Sequence, residues 1–197
     1  MALREHFNPK TGGDDAYNAY FNRNGALNAK VIYGYWFLSG MSKNYYGYST
    51  YNWGAAQAKL ALKAYQDMKN VYKSKLRPVL FIDAENGGGS LDKGAYKNNQ
   101  SIYKGFVDYI NKYGKGIKPG TYSSAGDWGL VMGNFKPLIP GYYWLASYPY
   151  SSAGVPKKEK LTTSYSLWKN FPYTSEKPII YQYWGYGHDY NVARKLP

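Results

Sequence analysis

The sequence predicts an α/β fold. Three observations carry the prediction: five short strand-like runs, amphipathic helical segments between the early ones, and a length of 197 residues that suits one domain. The runs are Lys30 to Phe37, Pro78 to Asp83, Lys118 to Ser123, Tyr142 to Ser147 and Pro178 to Tyr183, each bounded by Gly, Pro, Ser or Asn. Strand and helix alternate along the first half of the chain, which argues for parallel βαβ units. Strands of such units are buried on both faces and read as near-continuous apolar runs, as Ile32 to Phe37 and Val79 to Ile82 do.

The first helix is expected over Trp53 to Tyr72, where Ala58, Ala61, Tyr65, Met68 and Tyr72 recur at three- and four-residue steps and form one apolar stripe. The second, from about Asn99 to Tyr113, repeats the pattern with Ile102, Phe106 and Ile110, and Gly114 stands where a left-handed C-terminal cap would fall. Residues 1–28 form an atypical polar N-terminal segment with Gly12-Gly13-Asp14-Asp15 and a short helix expected from Asp15 to Asn22, capped by Asp14. No strand is legible there, and a closed eight-stranded barrel usually needs about 200 residues or more. The expected architecture is therefore a (β/α) barrel of TIM type, modified or incomplete at its first strand. There is no internal repeat, and Ser151 to Lys160 reads as a Pro- and Lys-rich surface loop, so residues 1–197 are expected to form one domain.

Composition removes several function classes. The chain has no Cys and only two histidines, His6 and His188, so thiol nucleophiles, Cys-ligated zinc and His-rich metal sites lack their residues. Carboxylates are left as the chief chemical groups. With 44% hydrophobic and 19% aromatic residues the chain is no disordered tail, yet its formal charge is +13, which favours a polyanionic partner or environment. No apolar run reaches the roughly 18 residues of a membrane span, and the N-terminus lacks the features of a secretory signal.

Chemistry concentrates at Pro78-Val79-Leu80-Phe81-Ile82-Asp83-Ala84-Glu85-Asn86. Carboxylates at i and i+2 of a strand share a face, roughly 6 to 7 Å apart. At the C-terminal end of a parallel strand they would stand on the active face of a βα architecture, where like-charge proximity raises one pKa toward that of a general acid. A solvated strand end with two acidic caps would explain the same pair. Asp189, in Trp184-Gly185-Tyr186-Gly187-His188-Asp189, is a third candidate carboxylate, or alternatively a turn-fixing Asp. Tyr35, Tyr122, Trp144 and Tyr148 fall near predicted strand ends, where rings can stack on sugars or bases.

The ordered set Tyr35-Trp36-Phe37, Phe81-Ile82-Asp83-Ala84-Glu85, Gly120-Thr121-Tyr122-Ser123, Trp144-Leu145-Ala146-Ser147-Tyr148, Gln182-Tyr183 and Asp189-Tyr190-Asn191 resembles glycoside hydrolase family 25, the lysozymes of bacterial and phage type. The resemblance implies cleavage of the β-1,4 bond after N-acetylmuramic acid in peptidoglycan, with Glu85 as proton donor, Asp83 stabilising positive charge and the acetamido group, and Asp189 as the last-strand carboxylate. Tyr35, Tyr122, Trp144, Tyr148 and Gln182 would line the sugar groove. The family's first-strand Asp has no counterpart here, and Trp36 stands where a His is usual. No cofactor or metal is implied. The expected partner is peptidoglycan or a related acidic cell-wall polysaccharide, met outside the cell or at the wall by a monomer. A catalytically inactive carbohydrate-binding relative is the alternative. Nucleic acid is not expected, because the lysines are scattered and Gly87 to Gly89 lacks the features of a phosphate loop.

Overall fold

The computed structural model describes residues 29–40, 47–87, 90–148, 168–185 and 189–194. The expectations for the Asp15–Asn22 helix, the Ser151–Lys160 loop, His6 and His188 fall outside these residues. The element order is β1 (Ile32–Phe37), α1 (Thr50–Tyr72), β2 (Leu76–Asp83), α2 (Tyr96–Tyr113), β3 (Lys118–Ser124), α3 (Ala125–Met132), β4 (Tyr143–Ala146), β5 (Ile180–Trp184) and β6 (Tyr190–Ala193).

The six strands form one sheet in the order β1-β2-β3-β4-β5-β6. The first five are parallel and in sequence order, whereas β6 runs antiparallel to β5. Among the described residues the three helices pack on one face of the sheet, which is curled into a half-barrel. The described residues thus confirm the α/β class but form an open sheet rather than a closed barrel. They also add a sixth strand, β6, which the sequence reading did not include and which runs antiparallel to β5.

Strand alternation sorts side chains into two apolar clusters. Leu80 and Ile82 of β2, with Ala84 just past it, join Ala58, Ala61 and Tyr65 of α1 and Ile102, Phe106 and Ile110 of α2 on the helix side. Val79 and Phe81 join Tyr122, Ala146 and Ile180 on the inner side, with Tyr33, Tyr35 and Trp144 packed around them. The stripe read from the sequence is the buried face of α1, which begins at Thr50 because the Ser49 side chain accepts from the Asn52 amide at 3.2 Å.

The two long helices cross almost in backbone contact. A Cβ at Gly54 would lie 1.9 Å from the Ile102 carbonyl oxygen, and one at Gly105 would lie 2.0 Å from that of Tyr51. Buried Gln57 then ties α1 to the end of β1. Its Oε1 accepts from the Ser39 amide at 2.8 Å and from Trp36 Nε1 at 3.2 Å, while Nε2 donates to the Ser39 carbonyl at 2.9 Å. Both polar atoms of this buried amide therefore have partners, which offsets the cost of its burial.

Two local expectations are corrected. Gly114 is not left-handed: its φ is −71°, and the positive angles fall on Lys115 at 48° and Gly116 at 94°. Space accounts for the glycine, since a Cβ there would meet the Ile110 carbonyl oxygen at 2.5 Å. Helix α3 had no sequence signal, because eight residues with two glycines are too short and too weak in propensity. It forms around a Ser124 cap, whose hydroxyl accepts from the Asp127 amide at 2.9 Å, and buries Trp128, Val131 and Met132.

Candidate active site

Strand β2 delivers the first carboxyl by alternation. Val79, Phe81 and Asp83 point to the inner face, and Asp83 is only 5% exposed at the strand's C-terminal end. The i, i+2 spacing puts Glu85 on the strand as well; in the structure it lies past the strand's end and is half-buried. Between them, Ala84 is clamped to β3 at both backbone groups: its amide donates to the Tyr122 carbonyl at 3.0 Å, and its carbonyl accepts from Ser123 Oγ at 2.6 Å. The short segment carrying both carboxyls is therefore held in register with Tyr122.

The loop after Glu85 closes on itself. Gly87 has φ +97°, its carbonyl accepts from the Ser90 amide at 2.9 Å, and Asn86 pairs with Leu91 in a parallel bridge. The Glu85 carbonyl accepts from the Leu91 amide at 3.2 Å and from the Ser90 hydroxyl. On the other side, the Asn86 amide donates to Asp127 Oδ1 of α3 at 3.4 Å. The positive φ needs glycine for torsional reasons alone, because a Cβ at Gly87 meets nothing within 4 Å.

Tyr122 is the centre of the arrangement. It is 9% exposed, and its hydroxyl donates to Gln182 Oε1 at 2.7 Å. Gln182 Nε2 donates in turn to Asp189 Oδ1 at 2.8 Å and to the Tyr148 hydroxyl at 3.3 Å. Burial pushes the Tyr122 phenol well above its ordinary pKa, and Glu85, Asp83, Tyr148 and Asp189 push it in the same direction, in that order. The charges of three carboxyls, two at and just past the end of β2 and one before β6, thus act on one phenol. They differ in environment, with Asp83 buried, Glu85 half-buried and Asp189 exposed. Such a difference lets chemically identical groups take different roles.

An aromatic wall adjoins the carboxyls. Trp144 is half-buried and meets Tyr35, Phe81 and Tyr122 edge-on, at centroid distances of 6.0, 5.5 and 4.9 Å. Its Nε1 donates to Asn191 Oδ1 at 2.8 Å, and Tyr148 stands at the rim, 42% exposed. All eight residues singled out in the sequence, Tyr35, Asp83, Glu85, Tyr122, Trp144, Tyr148, Gln182 and Asp189, are therefore on or beside the inner face. Gln182 differs from the expected groove-lining role in one respect: it is 4% exposed and its amide is spent on neighbours.

Sequence reasoning passed over Asn191, Ser90, Ser123 and Asp127. Only Asn191 carried a signal, since it lies two residues after Asp189, and alternation along β6 returns it to the same face. Among the described residues, no group of three or more His, Cys, Asp or Glu side chains is placed to hold a metal ion. No helix among them is long and apolar enough to cross a membrane.

Fold and site together define an α/β half-barrel with a carboxylate and aromatic cluster at the C-terminal ends of its parallel strands. No protein-family model matches the chain, and no curated protein matches it in sequence. Among solved structures, it is similar to a muramidase from Trichobolus zukalii, with a TM-score of 0.54 and 20% identity over 93% of this chain and 76% of that one. It is also similar to the catalytic domain of an endolysin from a bacteriophage of Listeria monocytogenes, with a TM-score of 0.46 and 17% identity over 91% of this chain and 75% of that one. At these identities the first likeness shows a shared fold.

Proposed function

We propose that this protein is a glycoside hydrolase of the cell wall, built on a (β/α) barrel of TIM type that is modified on its first-strand side. It cleaves the β-1,4 bond after N-acetylmuramic acid in peptidoglycan. The observation that carries the reading is the placement of Asp83 level with Tyr122, just before Glu85, with Gln182 linking Tyr122 to Asp189 beside the Trp144 wall. The shared fold with a protein described as a muramidase supports it.

In this reading Glu85, half-buried at the mouth of the strand ends, protonates the glycosidic oxygen. Asp83, held by the Ala84 clamp, faces the positive charge that develops on the sugar ring. Asp189 completes the acidic set from the far edge. Tyr35, Trp144 and Tyr148 offer apolar ring surface and polar tips to the sugars, whereas Tyr122 and Gln182 support the carboxyls from beneath. A surplus of lysine draws the protein to acidic wall polymers, an attraction that weakens with salt.

The test is release of new reducing ends from purified peptidoglycan, beside Glu85→Gln, with products read by mass spectrometry. Muramic-acid reducing ends that vanish in the variant are expected. Binding to several wall types without any release would replace this reading with a sugar-binding protein that performs no hydrolysis.

A further inference from the structure

The hydrogen bonds around Gln182 have only one consistent direction. The Asp189 carboxylate only accepts, so the atom facing it at 2.8 Å must be the amide nitrogen. This turns Oε1 toward Tyr122, and because a carbonyl oxygen also only accepts, the phenol must donate its single proton there, at 2.7 Å. The second amide proton goes to the Tyr148 hydroxyl at 3.3 Å. Every polar atom of the buried Gln182 side chain is thereby committed.

We propose that Gln182 is a positioning residue that, oriented by Asp189, keeps the Tyr122 hydroxyl donating away from Glu85 and Asp83, so that Tyr122 has no proton to offer these carboxyls. The register supports the placement. Ser124, Ala146, Gln182 and Asn191 form one row across the sheet, one step above the row of Asp83, Tyr122 and Trp144. By reaching Gln182, the phenol of Tyr122 enters the upper row, at the level the chain gains two residues past Asp83, where Glu85 lies. A carboxylate at that level receives no proton from Tyr122, whose one donor is committed to Gln182. The device therefore favours the neutral acid, the form that a proton donor needs.

The titratable groups whose charge acts on the phenol are Glu85 and Asp83 at and just past the end of β2, Tyr148 after β4 and Asp189 before β6. Tyr35 of β1 reaches the same face against Trp144, and Asp127 of α3 meets the amide next to Glu85. The inference deepens the proposed hydrolase reading, because it assigns a cause for Glu85 serving as the acid.

The experiment follows the Glu85 carboxyl directly. With 13C-labelled glutamate the chain gives four side-chain carboxyl signals, from Glu5, Glu85, Glu159 and Glu176, and Glu85→Gln identifies the one that matters. Gln182→Met keeps volume but removes the acceptor, which frees the Tyr122 proton to turn toward Glu85. Its titration midpoint is expected to fall by at least about half a pH unit, and to stay put when Tyr122→Phe is also present. In the active enzyme the alkaline limb of the rate profile moves down by the same amount. A purely structural role for Gln182 would lower activity without moving the midpoint. Asp189→Asn, which lets the amide turn round, is the second variant, read against the same Tyr122→Phe background. An unmoved midpoint in both, or equal falls with and without the Tyr122 hydroxyl, overturns the proposal. The titration needs no substrate, so it can fail while peptidoglycan is cleaved, and succeed while it is not.

Discussion

Trp144 Nε1 donates to Asn191 Oδ1 at 2.8 Å, joining β4 to β6 across the inner face of β5. The antiparallel last strand therefore braces the aromatic wall. The bond is exposed to solvent, so water can replace the acceptor at little cost in stability. Asn191→Leu is expected to change stability by less than about 1 kcal/mol. It should raise KM on peptidoglycan fragments several-fold with kcat nearly unchanged. Steady-state kinetics beside thermal melts check both parts.

Gly105→Ala sets two effects against each other. Helix propensity favours alanine by about 1 kcal/mol, but its Cβ would stand 2.0 Å from the Tyr51 carbonyl oxygen, a backbone atom that cannot swing away. Separating the helices to relieve the clash costs about 3 kcal/mol or more. The clash wins, and Tm is expected to fall by roughly 5 to 10 °C. Calorimetry of Gly105→Ala beside an exposed control substitution reads it.

Gly87→Ala isolates torsion from crowding, since φ is +97° and a Cβ meets nothing within 4 Å. The strain is about 1 to 2 kcal/mol. It is confined to the loop that carries Glu85, so kcat is expected to fall about tenfold or more while Tm drops by only a few degrees. Equal activity in Gly87→Ala and the parent would show that this turn does not set the position of Glu85.

Asp108 is held below its ordinary pKa, first by the hydrogen bond from Lys104 and then, against desolvation, by that from Tyr51. A carboxyl lowered in the folded state stabilises above its unfolded pKa of about 3.9, and that contribution disappears as pH falls through the folded value. The pair is exposed, so the effect is small. Asp108→Asn is expected to lower Tm at pH 7 by no more than about 2 °C. The two proteins should converge at strongly acid pH, as melts across a pH series will show.

Much of this architecture is legible without coordinates. The stripe of Ala58, Ala61 and Tyr65 marks the buried face of α1, because helical period and burial are properties of a long local segment. The first five strands show themselves by apolar or aromatic runs between breakers. Helix α3 and strand β6 do not: α3 is short with two glycines and depends on the Ser124 cap, while β6, Tyr-Asn-Val-Ala and mostly exposed, has no apolar run and depends on β5 as a template.

The sequence by itself determined which groups could do chemistry: carboxylates and aromatic rings, with no thiol and almost no imidazole, near the ends of strands. Glu85, Asp83 and Asp189 could be named from spacing and resemblance alone. What only the tertiary structure decided is how they are wired. Tyr122 and Gln182 are 60 residues apart, and the direction of the hydrogen bond between them depends on a carboxylate brought in by a third segment. Hydrogen-bond polarity belongs to the meeting of side chains rather than to any one of them, and chain folding is what makes them meet.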